Sequence, residues 1–214
     1  MTIQTPIDEA NRSGRMTSPS TSSTLNEVLR LAQTCDYDSS HTHQVARLAL
    51  RLFDDFQSLH NLGQTERDWL HYAAILHDIG WIEGWKEHHK VSLRIILTTP
   101  MLNLTNKERL IVGSIARYHR KALPNLKHDH YAALTEAERK NVDVLAGILR
   151  LADGLDSAHQ VRVRDIIVKV TPKKIAIRCT VQSEKKEEEE TASEKTDLLR
   201  QVFNRPIVIS WKML

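Results

Sequence analysis

The chain has 214 residues, 41% of them hydrophobic, which is enough to bury a core of ordinary size and too few for more than one or two domains. A formal charge of +3 is too small to signal nucleic-acid binding by itself, since such domains usually concentrate many lysines and arginines on one face, so nucleic acid is not expected as a partner. The longest apolar runs, such as 72–76, are far too short to span a membrane and the first residues lack a signal-peptide core, so a soluble, cytoplasmic protein with no membrane partner is expected.

Residues 1–24 are rich in Ser and Thr, carry Pro6 and Pro19, and show no apolar period; they predict a disordered leader. From Leu25 to about Asp156 apolar residues recur at helical spacing, interrupted by turn signals at 61–63, Gly80, Pro100 and Pro124, which predicts six or seven helices in a domain over 25–157. The period then changes. Val161, Val163, Ile166, Val168 and Val170, followed by Ile175, Ile177 and Cys179, predict two strands joined at 172–174 as a hairpin. The charge run 185–190 reads as a solvated loop or helix start with only a solubilising role. A helical stretch to Phe203 and a last strand at 206–211 complete a small α+β appendix, 158–214, packed on the helices. The fold class expected is therefore mainly α, a helical bundle with a C-terminal α+β appendix.

Cys35 and Cys179 stand far apart with no Cys-x-x-Cys spacing, so any metal would be held by nitrogen and oxygen. Histidine is the conspicuous donor, 11 residues in all. A His-Asp dipeptide alone means little, because this composition yields about 0.7 such pairs by chance. The chain has two. His128-Asp129 lies among polar residues after Pro124 and reads as a solvated loop. His77-Asp78 differs, since Leu70, Ala73, Ala74 and His77 share one helical face and Gly80 then ends the helix, letting both side chains converge.

Two further segments repeat this placement. His41 heads the stripe Val45, Leu48 and Leu52, with His43 on the opposite side, and Asp153 and Asp156 continue the stripe Leu145, Leu149. Burying these polar groups unpaired would cost several kcal/mol each, and a shared cation would remove that cost for His41, His77, Asp78 and Asp153 together. The alternative is a set of separately satisfied core residues.

In its order of His, His-Asp and distal Asp, and in the contexts Ala73-Ala74-Ile75-Leu76-His77-Asp78-Ile79-Gly80 and Leu149-Arg150-Leu151-Ala152-Asp153-Gly154, the chain resembles the HD superfamily of metal-dependent phosphohydrolases from His41 to Asp156. The resemblance implies an HD-type helical bundle and one or two divalent transition-metal ions (Mn, Fe, Mg, Co or Ni). It also implies His77 and Asp78 as catalytic residues, and hydrolysis of a phosphate ester or anhydride in a phosphorylated small molecule, nucleotide or polyphosphate.

Through Glu87-His88-His89-Lys90-Val91-Ser92, Ile115-Ala116-Arg117-Tyr118-His119-Arg120 and Asp197-Leu198-Leu199 to Pro206, it is similar, more narrowly, to the C-terminal half of exopolyphosphatase and guanosine pentaphosphate phosphohydrolase proteins. In that family an actin-like pair of domains, not found in this sequence, carries the recognised phosphatase site, and the HD-like half is often accessory. Any hydrolysis is then expected at the HD site. The alternative the resemblance allows is a non-catalytic nucleotide- or polyphosphate-binding module.

His88 stands four residues before Ser92, resembling the pattern that two-metal HD enzymes place after the His-Asp pair, with His89 as its competitor. His119 continues the stripe Ile111, Ile115. With His88 and His119 added, two ions bridged by Asp78 become an expectation, in mixed N/O coordination. Such ions would lower the pKa of water and polarise phosphoryl oxygens. Arg117, Arg120 and Lys121 flank His119, and Arg150 precedes Asp153 by about one turn; they are the candidate phosphate-binding cations, with surface or structural ion pairs as the alternative for each. A homodimer is left open.

Overall fold

A computed structural model describes residues 21–100, 103–183 and 186–214. The expected leader lies outside the described residues except for its end. Residues 21–24 are not a leader but the first turn of helix α1 (Thr21–Thr34), where Thr24 is buried. Hydroxyl side chains suit a helix start, which is why a Ser/Thr run there misleads.

Helix α2 (Ser39–Asp55) is capped by Asp38, whose carboxylate accepts from His41 N at 3.2 Å. A short α3 (Gln57–His60) leads to α4 (Gln64–Leu76), a 3-10 turn (Ile79–Glu83) and α5 (His88–Thr98). Then follow α6 (Asn106–Arg117), a short α7 (Asp129–Ala132) and the long α8 (Glu136–Gly154). Capping boxes Thr105/Glu108 and Thr135/Glu138 fix where α6 and α8 begin.

The predicted stripes face inward. Val45, Leu48 and Leu52 of α2, Leu70, Ala73 and Ala74 of α4, and Leu145 and Leu149 of α8 are all fully buried, and α8 packs on α2, α4, α6 and α10.

The C-terminal part is α+β as expected. Strands β1 (Val163–Val170) and β2 (Ile175–Val181) form the antiparallel hairpin, and β3 (Ile207–Met213) pairs with β2 in parallel, in the order β1-β2-β3. A parallel neighbour requires a crossover, and α9 (Lys186–Glu194) and α10 (Asp197–Phe203) supply it. The sheet's buried residues Ile175, Ile177 and Cys179 belong to the same core as the helices.

Two expectations need correction. His128-Asp129 is not a solvated loop: His128 is half-buried at the start of α7, with Nδ1 2.7 Å from the Tyr118 hydroxyl. The charge run is not merely solubilising either. It enters α9, where Glu188 is buried against Arg162 at 3.1 Å and Ala192 packs at Gly154 of α8. Among the described residues no helix is long and apolar enough to cross a membrane.

Candidate metal centre

Five helices, α2, α4, α5, α6 and α8, meet at one end of the bundle. Helix α4 closes at His77, and Asp78 leaves the helical conformation (φ −108°, ψ 5°) to open the 3-10 turn, so the adjacent side chains both turn inward. Ser92 ties this corner to α5: its Oγ donates to His77 O at 2.8 Å and accepts from Gly80 N at 2.9 Å. His41 comes from the first turn of α2, His88 from the start of α5, His119 from just past α6, and Asp153 from the last turn of α8. All four histidines are buried.

The hydrogen bonds around this cluster fix its chemistry. His77, His88 and His119 each turn Nδ1 toward a main-chain carbonyl, at 2.8 Å from Ala74 O, 3.0 Å from Trp85 O and 2.7 Å from Ala116 O. A carbonyl only accepts, so Nδ1 carries the proton and Nε2 is left with its lone pair. His41 Nδ1 likewise stands 2.9 Å from Asp156 Oδ2.

The four Nε2 atoms point at one another and at two carboxylates. His77 Nε2 is 3.4 Å from His41 Nε2, and His88 Nε2 is 3.3 Å from His119 Nε2. The carboxylate of Asp78 divides between two groups: Oδ1 lies 3.1 Å from His88 Nε2 and 3.4 Å from His119 Nε2, and Oδ2 lies 3.5 Å from His77 Nε2. Buried Asp78 Oδ1 has no hydrogen-bond partner among the described residues.

Acceptors facing acceptors at these distances repel unless a proton or a cation lies between them. Three sets of donor atoms, His41/His77/Asp153, His41/Asp78/His159 and Asp78/His88/His119, each lie within 4.8 Å of one another and could hold a metal ion.

Protonation follows from the same geometry. Burial opposes a charge on His41, but the hydrogen bonds it donates to the Asp153 and Asp156 carboxylates outweigh it and raise the imidazole to about 10. His77 and His119 are pushed below the usual histidine range by burial. Burial works against Asp153 as well, yet Lys195 and His41 hold its carboxyl low, and Asp78 is held low by His77, His88 and His119. A cation entering the first group must therefore displace a proton from His41.

The centre opens into a cavity of about 580 Å³. Trp81, Trp85, Arg120, Lys121, His159 and Lys195 are among its walls. Arg120 lies over the Trp85 ring at 4.8 Å, with Nη1 3.5 Å from His88 Nε2.

Arg117, His89 and Arg150 are placed elsewhere. Arg117 and His89 line a different cavity, and His89 is pushed down to about 4 by burial and then by Arg117. Arg150, expected at the phosphate, is instead committed inside the fold, donating to Asp197 at 3.0 and 2.8 Å and to Tyr118 O at 3.0 Å. Asp153, one turn further along α8, faces His41 at 3.4 Å, while the long Arg150 side chain is held away from the centre by Asp197 and Tyr118 O.

Three residues of the site lie outside the ligand pattern that spacing suggests. Asp156 stood on the α8 stripe beside Asp153, so its support of His41 had a visible signal. His159, stacked on His41 at 3.6 Å, and Lys195, ion-paired with Asp153, had none.

Residues 25–201 match the family model described as Ppx/GppA phosphatase, domain III. No curated protein matches the chain.

Proposed function

The chain belongs to the Ppx/GppA phosphatase domain III family, and on that premise we propose that it is an HD-type metal-dependent phosphohydrolase. In this reading residues 25–157 are the HD domain, residues 158–214 are an appendix that adds Lys195 to the site, and the protein works in the cytoplasm. The ligands are His41, His77, Asp153 and Asp78 for one ion, and Asp78, His88 and His119 for a second. The observation that carries this reading is the acceptor-only donor set: imidazoles with Nδ1 committed outward and Nε2 inward, around a carboxylate whose buried Oδ1 has no hydrogen bond. When bound, the ions supply Lewis acidity, making water nucleophilic near neutral pH and polarising a phosphoryl oxygen.

The chain's own residues do the rest. Asp156 orients His41 through Nδ1. Arg120, Lys121 and Lys195, all in the cavity wall, offset the charge of a phosphoryl group. Trp81 and Trp85 give the cavity wall an apolar face against which a substrate can pack. Substrates are nucleotides, phosphate monoesters or condensed phosphates.

One observation favours a second reading, a binding module that holds a nucleotide or polyphosphate without cleaving it. Lys195 already engages Asp153 Oδ2, so an ammonium serves part of the charge balance that a metal would otherwise supply.

Metal analysis of the purified chain, beside phosphate release from a panel of nucleotides, monoesters and condensed phosphates, tests the proposal. We expect one or two ions per chain, and release that stops with EDTA and returns with Mn²⁺ or Co²⁺. Full metal without turnover would favour the binding module, and a chain that takes up no divalent metal would end both readings.

Asp156→Asn should weaken metal affinity by about 10- to 100-fold, because an amide can accept from His41 Nδ1 but cannot balance its charge. Competition titration with a metallochromic indicator measures this, and an unchanged affinity would remove Asp156 from the site.

A further inference from the structure

Behind the wall formed by Trp85 and Arg120 lies the second cavity, about 450 Å³, with none of the six candidate ligands of the metal centre in its lining. Its charged lining is one-sided. Lys86, Lys90, Arg117, Arg120 and Lys121 face it with a single carboxylate, Glu87, and that carboxylate is engaged by Lys90.

Two polar side chains in this lining are buried and incompletely satisfied. Arg117 is 7% exposed and its Nη1 has no hydrogen-bond partner among the described residues; His89 is 4% exposed and its Nδ1 has none. Arg117 ends α6, where main-chain carbonyls favour a cation, and it stands 5.8 Å from the Tyr118 ring. Neither contact satisfies Nη1. A buried guanidinium left short of acceptors is costly, and an oxyanion in the cavity would remove that cost while offering acceptors to His89 and the lysines.

We propose that this cavity is a second anion site, taking a phosphoryl group or free orthophosphate, separate from the His/Asp centre and independent of metal. Trp85, Arg120 and Lys121 line both cavities. An anion here would therefore bear on the same guanidinium that faces His88. Two sources share this chemistry: orthophosphate itself, or a distal phosphoryl group of a molecule whose other end lies at the metal centre.

The test is calorimetric titration of the whole chain in EDTA with orthophosphate, pyrophosphate and tripolyphosphate. Lys86→Ala/Lys90→Ala, on the exposed rim of this cavity alone, and Arg117→Met should each weaken orthophosphate binding by about tenfold or more. Circular dichroism identifies any failure of the buried Arg117 variant to fold, in which case the lysine pair decides. Lys195→Met, which faces only the metal cavity, should change orthophosphate affinity by less than about twofold.

No orthophosphate binding by the wild type, wild-type affinity in the folded cavity variants, or a loss with Lys195→Met as large as with the lysine pair would each overturn the proposal. Equal affinities along the phosphate series support the site with free orthophosphate as occupant. Affinity rising with chain length and reduced by the lysine pair supports it with a longer ligand. Because the titration excludes metal, its outcome is separate from that of the metal analysis.

Discussion

Asp78→Asn is expected to cost the protein at least one of its cations and to lower phosphate release by about a thousandfold, roughly 4 kcal/mol of transition-state stabilisation. The reason lies in how one carboxylate is shared. Oδ2 faces His77 and His41, at 3.5 and 3.9 Å, while Oδ1 faces His88 and His119. An asparagine of the same shape keeps one oxygen and replaces the other with an NH₂ group, which has no lone pair and donates where a cation should sit. Either group of ligands could keep its member, but not both. Metal content by mass spectrometry, measured beside phosphate release, reads both effects at once. A variant with wild-type metal and wild-type rate would show that Asp78 does not bridge.

Gly80→Ala is expected to be the most damaging single change to the site that touches none of its ligands. A Cβ at this buried position would lie well inside van der Waals distance of the His88 carbonyl oxygen and 2.7 Å from Ser92 N, both main-chain atoms that no rotamer change can move. The start of α5 would have to shift away from the 3-10 turn. That shift would break the Ser92 bridge, Gly80 N to Ser92 Oγ at 2.9 Å and Ser92 Oγ to His77 O at 2.8 Å, and carry His88 away from Asp78. Overpacking of this kind costs about 1–3 kcal/mol, to which two buried hydrogen bonds add about 1 kcal/mol each. A drop in melting temperature of roughly 6–20 °C follows for a chain of this size. Thermal unfolding measures it, and a variant that melts with the wild type would mean that α5 is not held by this contact.

Much of the helical fold was legible because it rests on local period. Val45, Leu48 and Leu52, or Leu145 and Leu149, bury one face wherever their helix lies, so the stripe can be read without a partner. The same logic found His41, His77 and Asp153, polar residues standing where a stripe calls for an aliphatic one, and all three are buried. It failed where composition stood in for period. Residues 21–24 look like leader because Ser and Thr are common in linkers, although they also begin helices. Glu188 looks solvated because its neighbours are charged, yet in α9 it is buried against Arg162.

By itself, then, the sequence determined which faces the longer helices bury and which His and Asp residues those faces carry inward. These depend on side-chain spacing within ten or twenty residues. The tertiary structure alone decided which groups share a site. Lys195 reaches Asp153 across 42 positions, His159 stacks on His41 from a loop with no period, and Arg150 turns to Asp197 rather than to the cavity. It also decided that Arg117 and His89 line a cavity of their own. Contacts between segments distant in the chain depend on helix packing angles and loop paths, and those arise from the whole core rather than from any stretch of residues.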